Sequence, residues 1–267
     1  MRVGAWLTQA SRKLKGVGID SAHLDAELLI SYVTGQDRAT LLAHPELALD
    51  HVQQQYLKRL LDRRLRREPL AYIVEGKEFY GREFYVNRHV LIPRAETEAF
   101  ISSLAKLPME KDDVVIDIGT GSGCIAVTTA LEFPKLRVVG WDIDEKALRI
   151  ARKNALHLSA KVRYAKRDIR QPVKRPSAKF VLANLPYVDR LGRRSPETDF
   201  EPRIALFASN HGLALIEDLL DNHPLKHGGY LLLEADVSQH KSIIKEAKNK
   251  SFKYLSREGL ILTFQLL

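Results

Sequence analysis

From about residue 112 to the end of this 267-residue chain, short apolar runs alternate with segments whose apolar residues recur at helical spacing. This alternation predicts an α/β domain with a mostly parallel sheet and helices on both faces, because consecutive parallel strands need a crossover long enough for a helix. The predicted strands cover residues 114–118, 137–141, 162–164, 180–183, 230–233, 252–255 and 260–265. The predicted helices cover residues 123–132, 145–156, 213–221 and 239–248. The last two strands are predicted to close the sheet as a pair.

The first of these strands runs directly into a glycine-rich loop that precedes a predicted helix. The strand end and loop read Asp117-Ile118-Gly119-Thr120-Gly121-Ser122-Gly123. Three alternate glycines after a strand let the backbone approach a ligand with no side chain between them. The next strand ends at Asp142, whose carboxylate is placed to bind ribose hydroxyls. The pattern predicts a nucleoside-type cofactor site, and its G-x-G-x-G spacing disfavours a dinucleotide dehydrogenase, whose third glycine comes one position later.

Two further residues near this site are ambiguous from spacing alone. Asp168 follows the third strand, and it either faces the adenine side of the cofactor or is a solvated loop acid. Cys124 is the single cysteine, so an intrachain disulfide and a multi-cysteine metal site are excluded. We interpret it as a small core residue, and no metal is expected. The lone cysteine, the lack of a secretory signal and the lack of an apolar run of membrane-spanning length favour a cytoplasmic protein.

The fourth strand ends in the tetrapeptide Asn184-Leu185-Pro186-Tyr187, which has the groups needed to hold an amide nitrogen. In an open α/β sheet, ligands bind beyond the carboxyl ends of the strands, where this tetrapeptide is expected next to the glycine loop. Asn184 offers an amide oxygen, Leu185 a backbone carbonyl and Tyr187 a flat face. Two acceptors that grip both N–H bonds of an amide would aim its nitrogen at an electrophile. The alternative is a strand-end turn with a buried tyrosine.

Residues 1–70 are predicted to be helical, and they precede a short hairpin. Apolar residues recur at helical spacing over 22–33 and again over 56–65, and Asp50 is placed to cap the second segment. The opposite face of that segment carries Lys58, Arg59, Arg63, Arg64, Arg66 and Arg67. We interpret this face as solvated. Aromatic pairs on either side of Gly81 predict a hairpin over 77–92. The predicted domains are thus 1–76 (helical), 77–92 (connector) and 93–267 (catalytic).

Taken together, these residues resemble the HemK family of protein N5-glutamine methyltransferases over nearly the whole chain. In the first domain the resemblance rests on Asp25–Leu29 and Arg67–Tyr72, and in the connector on Glu78–Tyr80, Leu91–Arg94 and Thr97-Glu98. In the catalytic domain it rests on Asp117–Gly123, Asp142, Asn184–Tyr187, Phe200–Pro202, Ala205-Leu206 and Gly228–Glu234. The combination is specific, whereas no single motif is.

The resemblance implies a Rossmann-like class I methyltransferase domain of seven strands that uses S-adenosyl-L-methionine. It implies that Gly119–Gly123 and Asp142 bind this cofactor, that Ile169 packs on its adenine, and that Asn184 binds both cofactor and substrate. Leu185, Pro186 and Tyr187 would bind the substrate glutamine, in the best-known members that of the Gly-Gly-Gln motif in class I peptide-chain release factors. Leu185 departs from the family's usual proline, and Ala95-Glu96 from the usual Pro-Asp. The backbone carbonyl of residue 185 survives the change, so the chemistry remains available.

Three other functions stay open. A glutamine methyltransferase of a ribosomal protein is the nearest, and a nucleic-acid adenine N6-methyltransferase would use the same tetrapeptide. The net charge of +9, and the eight basic residues against one acid over 161–179, would suit phosphates. No recognised nucleic-acid motif accompanies them, and direct nucleic-acid binding is not expected. The third alternative is a binding module that has lost its chemistry.

Overall fold

The computed structural model describes residues 1–187 and 195–267. Contacts divide the chain into two compact units, of which the first comprises Met1–Glu75 and Ser195–Phe200 and the second Gly76–Arg194 and Glu201–Leu267. The segment 195–200 thus joins the first unit although it lies far along the chain, which no local sequence pattern indicates. The domain limits 1–76, 77–92 and 93–267 stay predictions.

The first unit is helical, as the sequence predicts. Its helices are α1 (Val3–Gly16), α2 (Ala22–Thr34), α3 (Arg38–Ala43), α4 (His51–Leu65) and α5 (Leu70–Ile73), and Pro196–Phe200 form a 3-10 turn. Asp50 and Gln53 make a reciprocal capping box at the start of α4, which satisfies two backbone N–H groups. Pro69 lies between α4 and α5, where proline disfavours helical backbone at the preceding residue.

Arg64 does not belong to a solvated face, and its interpretation as a solvated residue was wrong. It is 5% exposed, and its guanidinium donates to Asp25 Oδ2 at 2.6 Å and to Glu197 Oε1 at 3.1 Å. The physical reason is helical spacing, because residue 64 lies one turn beyond Leu60 and two beyond Leu57, both buried. The cation therefore lies beside the apolar stripe, where the buried Asp25 and the half-buried Glu197 compensate its charge.

Two of the other basic residues of this helix and its end are also paired within the unit. Arg63 donates to Glu68 Oε1 at 2.6 Å, and Arg67 donates to Glu197 Oε2 at 3.0 Å. Burial raises the pKa of Glu197, but hydrogen bonds from Ser195, Arg67 and Arg64 outweigh it and lower the pKa to about 2. The exposed members of the predicted basic face are Lys58, Arg59 and Arg66. The free charge on this face is therefore smaller than the sequence suggests.

The second unit begins with the predicted hairpin and continues with alternating elements. Its strands are β1 (Gly76–Phe79), β2 (Arg82–Tyr85), β3 (Val114–Ile118), β4 (Arg137–Asp142), β5 (Val162–Lys166), β6 (Ala178–Ala183), β7 (Leu225–Glu234), β8 (Phe252–Glu258) and β9 (Ile261–Leu266). Its helices are α6 (Ala99–Ala105), α7 (Cys124–Glu132), α8 (Glu145–His157), α9 (Arg203–Leu206), α10 (Ala214–Asn222) and α11 (His240–Asn249), with a 3-10 turn at Ala95–Glu98. Within the described residues, no helix combines the length and apolar character needed to cross a bilayer.

The described strands β3–β9 form one seven-stranded sheet in the order β5-β4-β3-β6-β7-β9-β8. The first five of these run parallel, and β9 pairs antiparallel with both β7 and β8. The predicted fold class is confirmed, including the closing pair. Ile118 is in register with both Trp141 and Ala183, so the loops after β3, β4 and β6 leave the sheet at one edge. The strand order reverses between β3 and β6, where α/β sheets bind ligands.

Candidate active site

A cavity of about 410 Å³ opens at this edge of the sheet, entirely within the second unit. Its walls include the glycine loop after β3, the end of β4, the loop after β5 and the start of the tetrapeptide after β6. These segments contribute Gly119–Ser122, Asp142–Asp144, Arg167–Arg170 and Asn184–Pro186, and other walls come from 89–94 and 204–209. The cavity is of the size expected for a small-molecule site.

The glycine loop closely approaches the tetrapeptide. Gly119 and Gly121 have φ angles of +71° and +54°, which L side chains rarely adopt. A Cβ at Gly119 would lie 3.4 Å from Leu185 Cδ2 and 3.6 Å from the carbonyl oxygen of Asn184. The positive φ angle therefore favours glycine at position 119, which lies next to the Leu185 side chain and the Asn184 carbonyl oxygen.

Asp142 is held against the loop with part of its carboxylate still available. Its Oδ2 accepts from Gly121 N–H and its Oδ1 from Asp144 N–H, each at 2.9 Å. A carboxylate has about four lone-pair positions, so further donors such as hydroxyls can be accommodated. Burial raises the pKa of Asp142, and these backbone donors oppose the shift. The arrangement suits a ligand with hydroxyl groups at the rim of the loop.

Asp117 supports the glycine loop through Thr120 and does not line the cavity. It is fully buried, and its Oδ2 accepts from the Thr120 hydroxyl at 2.6 Å, whereas Oδ1 has no hydrogen-bond partner. Desolvation raises the pKa of Asp117 to about 7. Gly123 also lies outside the cavity lining and starts α7 with a φ of +82°. These two predicted cofactor residues shape the loop in this structure.

Sequence reasoning missed a buried amide that ties the hairpin to the glycine loop. Asn154 Nδ2 on α8 donates to Ser122 O at 2.8 Å and to Tyr85 O at 3.0 Å. Its Oδ1 accepts from Tyr85 N–H at 2.8 Å. An asparagine within an amphipathic helix carries no local signal of such a role. The backbones of β2 and of the glycine loop are thereby hydrogen-bonded to the same side chain, that of Asn154.

The loop after β5 contributes both residues predicted there. Asp168 lines the cavity and is paired with Arg170 at 2.6 Å, and this hydrogen bond chiefly lowers the pKa of Asp168. Ile169 lies at the cavity wall and packs into the core cluster of the sheet. Cys124 is buried at the start of α7, as expected of a small core residue, and desolvation raises its pKa to about 12.

The tetrapeptide divides between the cavity and the region behind it. Asn184, Leu185 and Pro186 line the cavity, and Asn184 Nδ2 donates to Thr97 Oγ1 at 3.2 Å. Tyr187 does not line it in this structure, because its hydroxyl donates to the buried Glu234 Oε1 at 3.1 Å. Burial and the neighbouring Glu234 raise the pKa of Tyr187 well above its usual value. Only the first three residues are thus in position to touch a ligand here.

Arg94, which sequence reasoning gave no role, also lines the cavity. Its guanidinium donates to the buried Glu201 Oε1 at 2.5 Å, and Glu201 Oε2 accepts from Ile92 N–H at 3.1 Å. Both residues belong to motifs on which the family resemblance rests, and those motifs were the only sequence signal that could have pointed to them. Glu201 thereby holds the segment before the Ala95–Glu98 turn against the cavity.

Comparison with known proteins agrees with the fold. Residues 96–197 match the family model described as "Methyltransferase small domain". The chain also resembles the crystal structure of a methyltransferase from Pyrococcus furiosus, with a TM-score of 0.53 and 16% identity, over 76% of this chain and 98% of that one. The second unit is a class I methyltransferase domain.

Residues 5–74 match the family model described as "PrmC N-terminal domain". A release factor glutamine methyltransferase of Koribacter versatilis is 39% identical over 86% of this chain and 84% of that protein. A protein of the same name from Neisseria gonorrhoeae is 40% identical over 82% of each chain. The chain belongs to the release factor glutamine methyltransferase family, and it is a methyltransferase.

Proposed function

We propose that this enzyme transfers a methyl group from S-adenosyl-L-methionine to the side-chain N5 of a protein glutamine. The proposed substrate is the Gly-Gly-Gln glutamine of a class I peptide-chain release factor, and the two relatives are named release factor glutamine methyltransferases. The observation that carries the proposal is that the glycine loop and Asn184–Pro186 line the same cavity, where Gly119 lies next to the Leu185 side chain and the Asn184 carbonyl oxygen. Because release factors act at the ribosome, this substrate implies a reaction in the cytoplasm.

The residues at the cavity suit a weakly nucleophilic nitrogen. An amide nitrogen shares its lone pair with the carbonyl, so it must be aimed rather than deprotonated first. Asn184 Oδ1 and the Leu185 carbonyl would accept its two N–H bonds and direct its lone pair toward the glycine loop. Holding reactants in this way contributes several kcal/mol. Bound S-adenosyl-L-methionine would supply an activated methyl group, and the amide proton would leave after transfer.

The residues at the loop fit the proposed cofactor. Gly119 and Gly121 leave room for its close approach, and the free lone pairs of Asp142 suit ribose hydroxyls. Ile169 offers an apolar wall for the adenine ring, while Asp168 is already paired with Arg170. These roles rest on the same geometry as the proposed reaction, and no metal is required for them.

Asp142→Ala is expected to weaken S-adenosyl-L-methionine binding by about 1–3 kcal/mol, the range for losing a hydrogen bond to a charged group. Titration calorimetry measures this directly. Asp142→Asn is the matched control, because its amide oxygen can still accept from Gly121 N–H, whereas the charge and the second acceptor, which serves Asp144 N–H, are lost. Its affinity should lie between those of the wild type and Asp142→Ala. Unchanged affinity in Asp142→Ala would remove this residue from the cofactor site.

Mass spectrometry tests the proposed activity. Purified release factor is incubated with the enzyme and S-adenosyl-L-methionine, and a single added methyl is expected on the Gly-Gly-Gln glutamine. Parallel reactions contain ribosomal proteins or adenine-containing DNA and RNA. Methylation of one of these with none on release factor would favour that alternative. Cofactor binding without transfer to any of them would indicate a binding module.

We further propose that residues 1–76 select the protein substrate and take no part in the chemistry. Within the described residues, the whole cavity lining lies between His89 and Asp218. A glutamine side chain alone offers few atoms, so remote contacts must supply much of the affinity. The exposed cations Lys58, Arg59 and Arg66 are the part of the first unit that we expect to contact an acidic region of the release factor.

Reversing these three charges to glutamate should raise KM for intact release factor several-fold and leave kcat nearly unchanged, because rim charges mainly steer association. A short Gly-Gly-Gln peptide should be methylated as by the wild type. Reversal of the exposed Lys241, Lys245 and Lys248 in the second unit is the matched control. If both triple variants behave like the wild type toward intact release factor, the basic residues of α4 are not the docking surface.

A further inference from the structure

The side chain that must present an acceptor to the substrate has its donor end engaged by Thr97, a residue of the cavity wall. Asn184 Nδ2 donates to Thr97 Oγ1 at 3.2 Å, across 87 positions of sequence. Thr97 is 2% exposed and sits in the turn Ala95–Glu98, where its own N–H donates to Arg94 O at 3.2 Å. Its hydroxyl is therefore held at a fixed place beside the asparagine amide.

A buried carboxyl group completes the arrangement. Glu234, at the end of β7, is 2% exposed and accepts from the Tyr187 hydroxyl at 3.1 Å. Burial raises the pKa of Glu234, and the side chains of Thr97, Tyr187 and Asn184 oppose this rise. Oε2 of Glu234 is buried and has no hydrogen-bond partner among the described residues. Glu234 does not line the cavity, so it acts on a ligand only through its neighbours.

The direction of these hydrogen bonds decides which end of the asparagine faces the cavity. A carboxylate only accepts, so toward the neighbouring Glu234 the Thr97 hydroxyl can act only as a donor of its one proton. The Thr97 oxygen then accepts from the NH2 end of Asn184, as the 3.2 Å hydrogen bond shows. A flipped amide would place the Asn184 carbonyl oxygen against the Thr97 oxygen while the Thr97 proton is directed at the carboxylate. The unflipped amide leaves Oδ1 free to accept from a ligand.

We propose that Thr97 and Glu234 are positioning residues that set the amide orientation of Asn184, so that its oxygen, and not its NH2 group, meets the substrate nitrogen. This inference rests on the proposed glutamine methylation and adds to it the residues that make Asn184 an acceptor. With the amide reversed, Asn184 would present N–H groups to the N–H bonds of the substrate. The nitrogen would then be repelled from the aligned position.

The test measures kcat and KM for release factor, together with the melting temperature, in three single variants. Thr97→Val removes the hydroxyl with little change in shape, and its kcat should fall about 10- to 100-fold, the scale of a small misalignment. Thr97→Ser is the matched rescue and should keep most of the wild-type kcat. Glu234→Gln lets an amide donate to Thr97, so kcat should fall while the melting temperature holds or rises, because a buried acid is removed. KM for S-adenosyl-L-methionine should stay near the wild-type value.

In the expected result kcat falls in Glu234→Gln while the melting temperature does not. A merely structural role would lower both. The double variant Thr97→Val/Glu234→Gln should lose little more kcat than either single variant, because both act through one amide. If the wild type methylates release factor, two results would overturn the positioning role of Thr97. The first is an undiminished kcat in Thr97→Val, and the second is a kcat in Thr97→Ser as low as that in Thr97→Val. A wild-type enzyme that adds no methyl to glutamine overturns the proposed function, and this assignment with it.

Discussion

Asn184→Ala should lower kcat for release factor by about 100- to 1,000-fold, the scale seen when one positioned hydrogen-bonding group is removed from a site of transition-state stabilisation. The alanine leaves the Leu185 carbonyl in place but removes the acceptor that aims the substrate nitrogen. The loss should appear in kcat more than in KM, because the interaction orients the reacting atom. Steady-state assays with intact release factor measure both constants.

Leu185→Pro is the matched control at the adjoining position. It keeps the backbone carbonyl proposed as the second acceptor and restores the proline usual in the resembling family. The substitution removes the Leu185 side chain next to Gly119 and the N–H of residue 185, but it keeps the carbonyl of that residue. Turnover should be preserved or raised. A folded Leu185→Pro enzyme without activity would contradict the backbone-carbonyl account, and an active Asn184→Ala enzyme would contradict the role of Asn184.

Arg64→Ala should lower the free energy of unfolding of the first unit by about 3–5 kcal/mol, the usual loss when one partner of a buried ion pair is removed. The variant leaves Asp25, which is 4% exposed, without its 2.6 Å partner. It also removes one of the two arginines that hold Glu197. Urea unfolding followed by far-ultraviolet circular dichroism reports the change.

Two comparison variants separate this loss from a general effect on α4. Lys58→Ala removes an exposed cation from the same helix and should change stability by less than about 0.5 kcal/mol, as surface substitutions usually do. The double variant Asp25→Leu/Arg64→Met removes both charges and should recover much of the loss, since no unpaired buried charge remains. Equal losses in Arg64→Ala and Lys58→Ala would show that the buried pair contributes little.

The parts of this protein that sequence reasoning predicted well are those with local signals. The seven strands, the glycine loop and the capping box of α4 each depend on residues within a few positions of one another. Residues 99–105 were not predicted to be helical, although the structure has α6 there. The family motifs included Arg94, Thr97, Glu201 and Glu234, but their spacing indicates no role for any of them.

By itself, then, the sequence determined the fold class and the placement of the glycine loop and the tetrapeptide at one edge of the sheet. These follow from hydrophobic periodicity and from the requirement for glycine at positive φ. Only the tertiary structure decided the hydrogen bonds that span long stretches of chain, such as Asn184 to Thr97, Asn154 to Tyr85 and Arg64 to Asp25. A buried polar group must find a partner wherever the fold supplies one, and that choice depends on three-dimensional packing that no local pattern encodes.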